Sequence, residues 1–92
     1  MSSALVEIEP VFCEMFIPGT LESSKLYISE RYGTAVHRCA CGCGTKVVTP
    51  LGPTKWTLTR NLDNTVSLSP SVSNYQTCKT HYLIRNNRIV WC

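Results

Sequence analysis

The residues best suited to chemistry lie in two short segments that contain cysteine and histidine. The first is 37–44, His-Arg-Cys-Ala-Cys-Gly-Cys-Gly, with three thiols at alternate positions, and the second is 78–81, Cys-Lys-Thr-His. Glycine lets the backbone turn tightly, so neighbouring thiols can face one ion. Four tetrahedral nitrogen or sulfur ligands define a structural zinc site. The two segments together therefore predict bound zinc.

Four thiolates are the predicted ligand set, with one histidine as a competitor. The predicted ligands are Cys39, Cys41, Cys43 and Cys78. His81 is a fifth candidate, because Cys-x-x-His is ordinary zinc spacing. Disulfides are the alternative, but a bridge between cysteines two residues apart is geometrically difficult. We interpret Cys13 and Cys92 as small apolar residues in strands.

Both histidines of the chain are candidate bases for a serine nucleophile. If four thiols fill the zinc site, His37 and His81 remain available, and a neutral imidazole can activate a serine hydroxyl for acyl transfer. The candidate nucleophile is Ser71, which follows Pro70 in a serine-rich run. Proline cannot donate to a strand ladder, so we expect the strand to break there and the hydroxyl to be exposed. Ser-Pro-Ser is also ordinary loop sequence, which is the non-catalytic alternative.

Acidic residues give little support to other kinds of catalysis. Asp63 and Glu30 are candidates to orient a histidine, but the spacing argues for neither. A catalytic zinc needs an open water position and a nearby carboxylate base. Neither cysteine segment has Asp or Glu beside it, so the zinc is predicted to be structural.

Short strands are the elements that must position these groups. Apolar residues alternate with polar ones around 56–58, 66–68, 82–84 and 89–91, and further strands are predicted at 11–17, 25–29, 35–38 and 46–49. Asn86-Asn87 is the strongest hairpin signal, because asparagine tolerates the positive φ of a two-residue turn. Apart from one short turn near 20–23, helical periodicity is absent. The sequence predicts an all-β fold of seven or eight short antiparallel strands with a zinc-ribbon-like knuckle.

Length and composition limit the classes of protein. A chain of 92 residues predicts one domain, 1–92, which buries only roughly 60–65% of its unfolded surface and usually needs a metal, disulfides or a partner. The 43% hydrophobic and 16% charged residues exclude a disordered tail. Without a targeting or membrane segment, we expect a cytoplasmic protein, whose thiols stay reduced and available to metal.

Nucleic-acid binding is the least favoured hypothesis for the function. A zinc ribbon that binds nucleic acid would need a basic, aromatic face, and the last hairpin offers the residues Tyr82, Arg85, Arg88 and Trp91. However, the net charge is only +3, and the basic residues are scattered along the chain. Such a charge provides little electrostatic attraction to phosphates.

A family resemblance extends over most of the chain, from about Leu26 to Trp91. The runs that carry it are 26–29, 32–44, 47–51, 56–59, 67–71, His81-Tyr82 and 84–91. The cysteine motif with its leading histidine is the specific part. In these residues the chain resembles a family of small bacterial zinc-binding proteins encoded in bacterial ubiquitination-like (Bub-type) operons.

The resemblance implies a serine peptidase that cleaves after the C-terminus of a bacterial ubiquitin-like protein. It implies Ser71 as the nucleophile, His81 or His37 as the base, and the four cysteines as zinc ligands. It also implies partners related to activating and conjugating enzymes. The chain departs from the expected Gly-Asn-Trp pattern at 73–75, which reads Ser-Asn-Tyr. The alternative function is that of a zinc-stapled binding module that docks these partners and catalyses no reaction.

Overall fold

Eight strands and no helix are found in the part of the chain that the structure describes. The structure is a computed structural model, and it describes residues 5–14, 16–74 and 79–92. The strands are β1 (Glu9–Phe12), β2 (Lys25–Ser29), β3 (Thr34–Arg38), β4 (Lys46–Pro50), β5 (Thr57–Arg60), β6 (Val66–Asn74), β7 (Thr80–Arg85) and β8 (Arg88–Trp91). The predicted all-β class and strand number are confirmed. Within these ranges, no helix is long and apolar enough to cross a membrane.

The strands form two four-stranded sheets in chain order. The first sheet has the order β1-β2-β3-β4 and the second has the order β5-β6-β7-β8. The neighbours β1 and β2 are parallel, whereas the other pairs in both sheets are antiparallel. The parallel pair is possible because the 12-residue connection between them, 13–24, is long enough for a crossover.

Two local predictions in the first third of the chain are wrong. The strand predicted at 11–17 ends at Phe12, and the amide of Cys13, just beyond it, still donates to Ile28 O in β2. The helical turn expected at 20–23 is a hydrogen-bonded turn at 23–24 that leads into β2. In both places the connection from β1 to β2 determines the path of the backbone.

The core lies between the two sheets. The first sheet contributes Leu26, Ile28 and Ala35, and the second contributes Leu68 and Ile84. The outer face of the first sheet is covered as well, because a second cluster joins Leu21 to Tyr27 and Val36. In the second sheet, the outward positions of β5 and β6 carry exposed serine and threonine side chains: Thr57, Thr59, Ser69 and Ser73. The outer face of the second sheet is thus polar and exposed to solvent along β5 and β6.

The closing hairpin follows the prediction from its sequence. Asn86 and Asn87 adopt positive φ values of 51° and 65°, and they join β7 to β8 as a two-residue turn. Asn87 also anchors the turn, because its amide donates to Val66 O and its side-chain oxygen accepts from the Val66 amide.

Cys13 and Cys92 each lie just beyond a strand, contrary to the prediction that both lie in strands. Cys13 follows β1 and packs, half-buried, against the second cluster. Cys92 follows β8 and is exposed. The prediction for Cys92 is therefore wrong, because the residue lies on the outer face beyond the last buried position.

Candidate functional site

The strand that carries Ser71 does not break at Pro70, contrary to the prediction. β6 continues from Val66 to Asn74, and the irregularity is a shift in its register against β7. Leu68 pairs with Ile84, but Val72 pairs with Tyr82, so four steps on β6 match two on β7. The two extra residues form a bulge that contains Pro70 and Ser71. A bulge accommodates a proline because its residues need no ladder hydrogen bond.

Ser71 and His81 are in direct contact on the outer face of the second sheet. Ser71 Oγ hydrogen-bonds to His81 Nε2, and both residues are partly exposed. The register places Ser73 directly opposite His81, so Ser71 is a diagonal neighbour of the imidazole. Diagonal positions of this kind lie about 7–8 Å apart, within reach of an aromatic side chain. The bulge thus positions a serine hydroxyl at the outer nitrogen of a histidine.

The other histidine lies in the core. The His37 side chain on β3 is fully buried, and its Nε2 is 2.6 Å from the Tyr82 hydroxyl. Burial lowers the pKa of His37 to about 4, so the imidazole is neutral at pH 7. Its Nδ1 has no hydrogen-bond partner among the described residues. Of the two candidate bases, His81 is therefore the one that the fold brings to Ser71.

Tyr82 follows His81 on β7, and its inward side chain connects the two sheets. Its hydroxyl contacts His37 and accepts a bond of 3.4 Å from the amide of Ala40. Its ring packs edge-on against Trp91, with the ring centroids 5.2 Å apart. Burial raises the pKa of Tyr82, so the hydroxyl stays protonated. The sequence predicts this residue as an alternating strand position and offers it for an aromatic face, whereas its polar contacts come from the first sheet.

Tyr82→Phe is expected to destabilise the fold by about 1–3 kcal/mol, because the buried His37 imidazole loses its hydrogen bond. Urea unfolding of the two proteins measures the difference. Tyr27→Phe is the matched control, since the Tyr27 hydroxyl accepts one half-buried bond of 3.0 Å from the Glu22 amide. If Tyr27→Phe lowers the free energy of unfolding as much or more, the contact between the sheets stabilises the fold no more than this half-buried bond does.

Three cysteines of the β3–β4 turn converge at one end of the sheets. The Sγ atoms of Cys39, Cys41 and Cys43 all lie within 4.8 Å of one another, and those of Cys39 and Cys41 are 3.5 Å apart. Tetrahedral zinc–sulfur bonds of about 2.3 Å place sulfurs roughly 3.8 Å apart. Gly42 and Gly44 adopt φ values of 92° and 83°, which L side chains rarely tolerate. The spacing and the donor set therefore fit a metal ion.

The fourth predicted ligand, Cys78, lies outside the described residues. The nearest described residues of that segment follow it at the start of β7. Thr80 Oγ1 is 3.4 Å from Cys39 Sγ, so this end of β7 approaches the three cysteines. His81, the competing ligand, points to the opposite face of the strand, because successive side chains alternate. The arrangement favours thiolates over His81 at the metal.

Other candidate residues have separate structural roles. The carboxylate of Asp63 accepts bonds from the amide and hydroxyl of Thr65 in the β5–β6 turn. Glu30 is an exposed residue of the β2–β3 turn in the other sheet. Tyr82 is fully buried, so it cannot contribute to an aromatic face for nucleic acid. Arg85 and Arg88 remain exposed at the last hairpin.

Comparison with known proteins gives one finding. Residues 13–92 match a family model described as BubE, bacterial ubiquitination-like system serine protease. No curated protein and no solved structure gives a significant match. The matched range includes the cysteine turn, Ser71 and both histidines.

Proposed function

Because the chain belongs to the BubE family of bacterial ubiquitination-like system serine proteases, we propose that it hydrolyses the bond after the C-terminal residue of a bacterial ubiquitin-like protein. Ser71 is the nucleophile and His81 is the base. The observation that carries this proposal is the hydrogen bond between Ser71 Oγ and His81 Nε2. The pair lies on a polar, solvent-facing sheet surface, where a protein substrate can approach it.

The proposed reaction uses His81 twice. As Ser71 Oγ attacks the carbonyl carbon, His81 Nε2 takes the hydroxyl proton, and the carbonyl oxygen becomes the oxyanion. Collapse of this intermediate breaks the carbon–nitrogen bond, and His81 returns the proton to the leaving amine. Water then attacks the acyl-enzyme with His81 again as base. The products are a free C-terminal carboxylate and the regenerated Ser71 hydroxyl.

A structural metal, which we propose to be zinc, is assigned to the cysteine turn. Cys39, Cys41 and Cys43 would hold it, with Cys78 as the fourth ligand. Bound there, zinc would fix the β3–β4 turn against the start of β7, next to His81. Its part is to support the fold, and the bond cleavage is carried out by Ser71 and His81.

A cleavage assay combined with covalent labelling tests the proposed function. The substrate is a ubiquitin-like protein of the same bacterial system that carries a short C-terminal extension. We expect mass spectrometry to show release of the intact extension. A fluorophosphonate, which reacts with activated serines, should label Ser71 and no other serine. Binding of the ubiquitin-like protein without cleavage or labelling would instead identify a docking module.

A further inference from the structure

The two neighbours of β6 do not cover it equally. On one side, β7 pairs with it as far as Asn74. On the other side, β5 pairs only with Val66–Ser69 and begins at Thr57, opposite Ser69. The side of β6 that faces away from β7 at residues 71–74, here called the open edge, therefore lies beyond the start of β5. It begins at Ser71.

The backbone of Ser73 faces this open edge. His81 O accepts from the amide of Cys92, so the peptide groups of His81 point towards β8. The opposed residue Ser73 is then a non-hydrogen-bonded partner, and its own N–H and C=O point away from β7. Ser73 is exposed, and no described residue bonds to its amide or carbonyl. Within the described ranges, the amide and carbonyl of Ser73, two residues from Ser71, thus face the open edge without a partner.

The residues just before β5 do not pair with the open edge, because they are bound elsewhere. The Trp56 amide donates to Pro50 O, and Trp56 O accepts from the amide of Gly52, both at 3.0 Å. These bonds tie Trp56 to the end of β4 in the first sheet. The open edge is therefore limited by the start of β5 at one end and extends to Asn74, the last residue of β6, at the other.

We infer that the C-terminal tail of the substrate adds to the open edge as a strand antiparallel to β6. This rests on the proposed function and names the surface that holds the tail. A strand added to a sheet edge gains affinity from main-chain hydrogen bonds. With the scissile carbonyl beside Ser71, the third residue before the cleaved bond lies opposite Ser73. Its N–H donates to Ser73 C=O, and its C=O accepts from Ser73 N–H.

The direction of the added strand follows from the limits of the open edge. An antiparallel tail runs from Asn74 towards Ser71, so the folded body of the substrate stays at the end away from β5. The residues after the cleaved bond meet the start of β5 and must turn away from the sheet. The parallel direction would place the folded body against β5. The antiparallel direction therefore keeps a folded protein on the amino-terminal side of the cleaved bond away from β5.

N-methylation of the substrate tail tests this arrangement with the unaltered enzyme. In an added strand, alternate N–H groups face the sheet edge. A methyl group on the third residue before the cleaved bond should lower kcat/KM by at least about tenfold, since it removes one hydrogen bond and blocks close approach. A methyl group on the second residue points to solvent and should change kcat/KM by less than about twofold. Equal losses, or loss at the second residue alone, would overturn the inference.

Ser73→Pro tests the same contact from the enzyme side. The substitution removes the N–H that faces the open edge, and proline is tolerated where a strand's N–H faces solvent. We expect about a tenfold loss of kcat/KM with the extended substrate, with thermal melting checked to confirm folding. Unchanged kcat/KM in the folded variant would contradict the inference. If the wild type cleaves nothing, the proposed function fails, and titration of the methylated tails against their unmethylated parent then decides whether the edge binds them.

Discussion

Ser71→Ala is expected to lower kcat/KM for the extended ubiquitin-like substrate by about 10⁴-fold, because it removes the proposed nucleophile. The Ser71 side chain is small and only partly buried, so we expect the variant to stay folded and to bind substrate. Steady-state cleavage kinetics and a binding titration on the same preparation give both quantities. Loss of cleavage with retained binding would assign the hydroxyl to the chemical step.

Ser69→Ala is the matched control, because Ser69 is an exposed serine on the other side of Pro70. Its kcat/KM should stay within about twofold of the wild type, as for most surface substitutions. His81→Ala should match Ser71→Ala, and the double variant should be no slower, since residues that act as a unit are not additive. Substantial cleavage by Ser71→Ala would refute the assignment, whatever His81→Ala does.

The closing hairpin could be predicted because its determinants are local. Asn86-Asn87 specifies a tight turn, and the flanking alternation specifies which side chains face the core. The cysteine turn is equally visible, since 39–44 contains its three thiols and two glycines within six residues. The parts of the fold that were predicted well are those in which neighbouring residues decide the geometry.

The diagonal geometry of the contact between Ser71 and His81 depends on a feature that local sequence does not specify. Without the bulge, the pairing of Leu68 with Ile84 would continue and place Ser71 directly opposite His81. The observed two-residue shift makes the pair diagonal instead. Proline at position 70 suggests a break, but β5 ends its pairing at Ser69, so the proline does not interrupt a ladder on that side. The register shift therefore depends on how β5, β6 and β7 pair with one another.

The position of His37 also required the tertiary structure. Its neighbours in sequence, Arg38 and Cys39, suggest a role at the metal or in catalysis. Strand alternation instead places it with Ala35 on the inner face of the first sheet. There it meets Tyr82 from the second sheet. Sequence spacing within one strand cannot reveal a partner 45 residues away.

Removing the metal is expected to abolish the cooperative thermal unfolding of the protein. Structural zinc contributes about 10–16 kcal/mol of apparent binding free energy in small zinc-dependent peptides, and a small domain has only about 5–15 kcal/mol of net stability. We expect about one zinc ion per chain by elemental analysis and loss of the melting transition in a strong chelator. Cys41→Ser should lose the metal in the same way. Cys92→Ser is the control, because Cys92 is exposed and outside the cluster.

Chelation should also abolish cleavage, and at the same chelator concentration as the melting transition. Cys39 Sγ lies 3.4 Å from Thr80 Oγ1, so the cysteine turn contacts the residue just before the proposed base. Release of that end of β7 would separate His81 from Ser71 without any change to either side chain. Ser71→Ala, by contrast, should lose cleavage and keep its melting transition. If the protein contains no zinc and both cleavage and melting survive chelation, the metal assignment is wrong. If cleavage is lost at chelator concentrations that leave the melting transition unchanged, the metal takes part in the reaction.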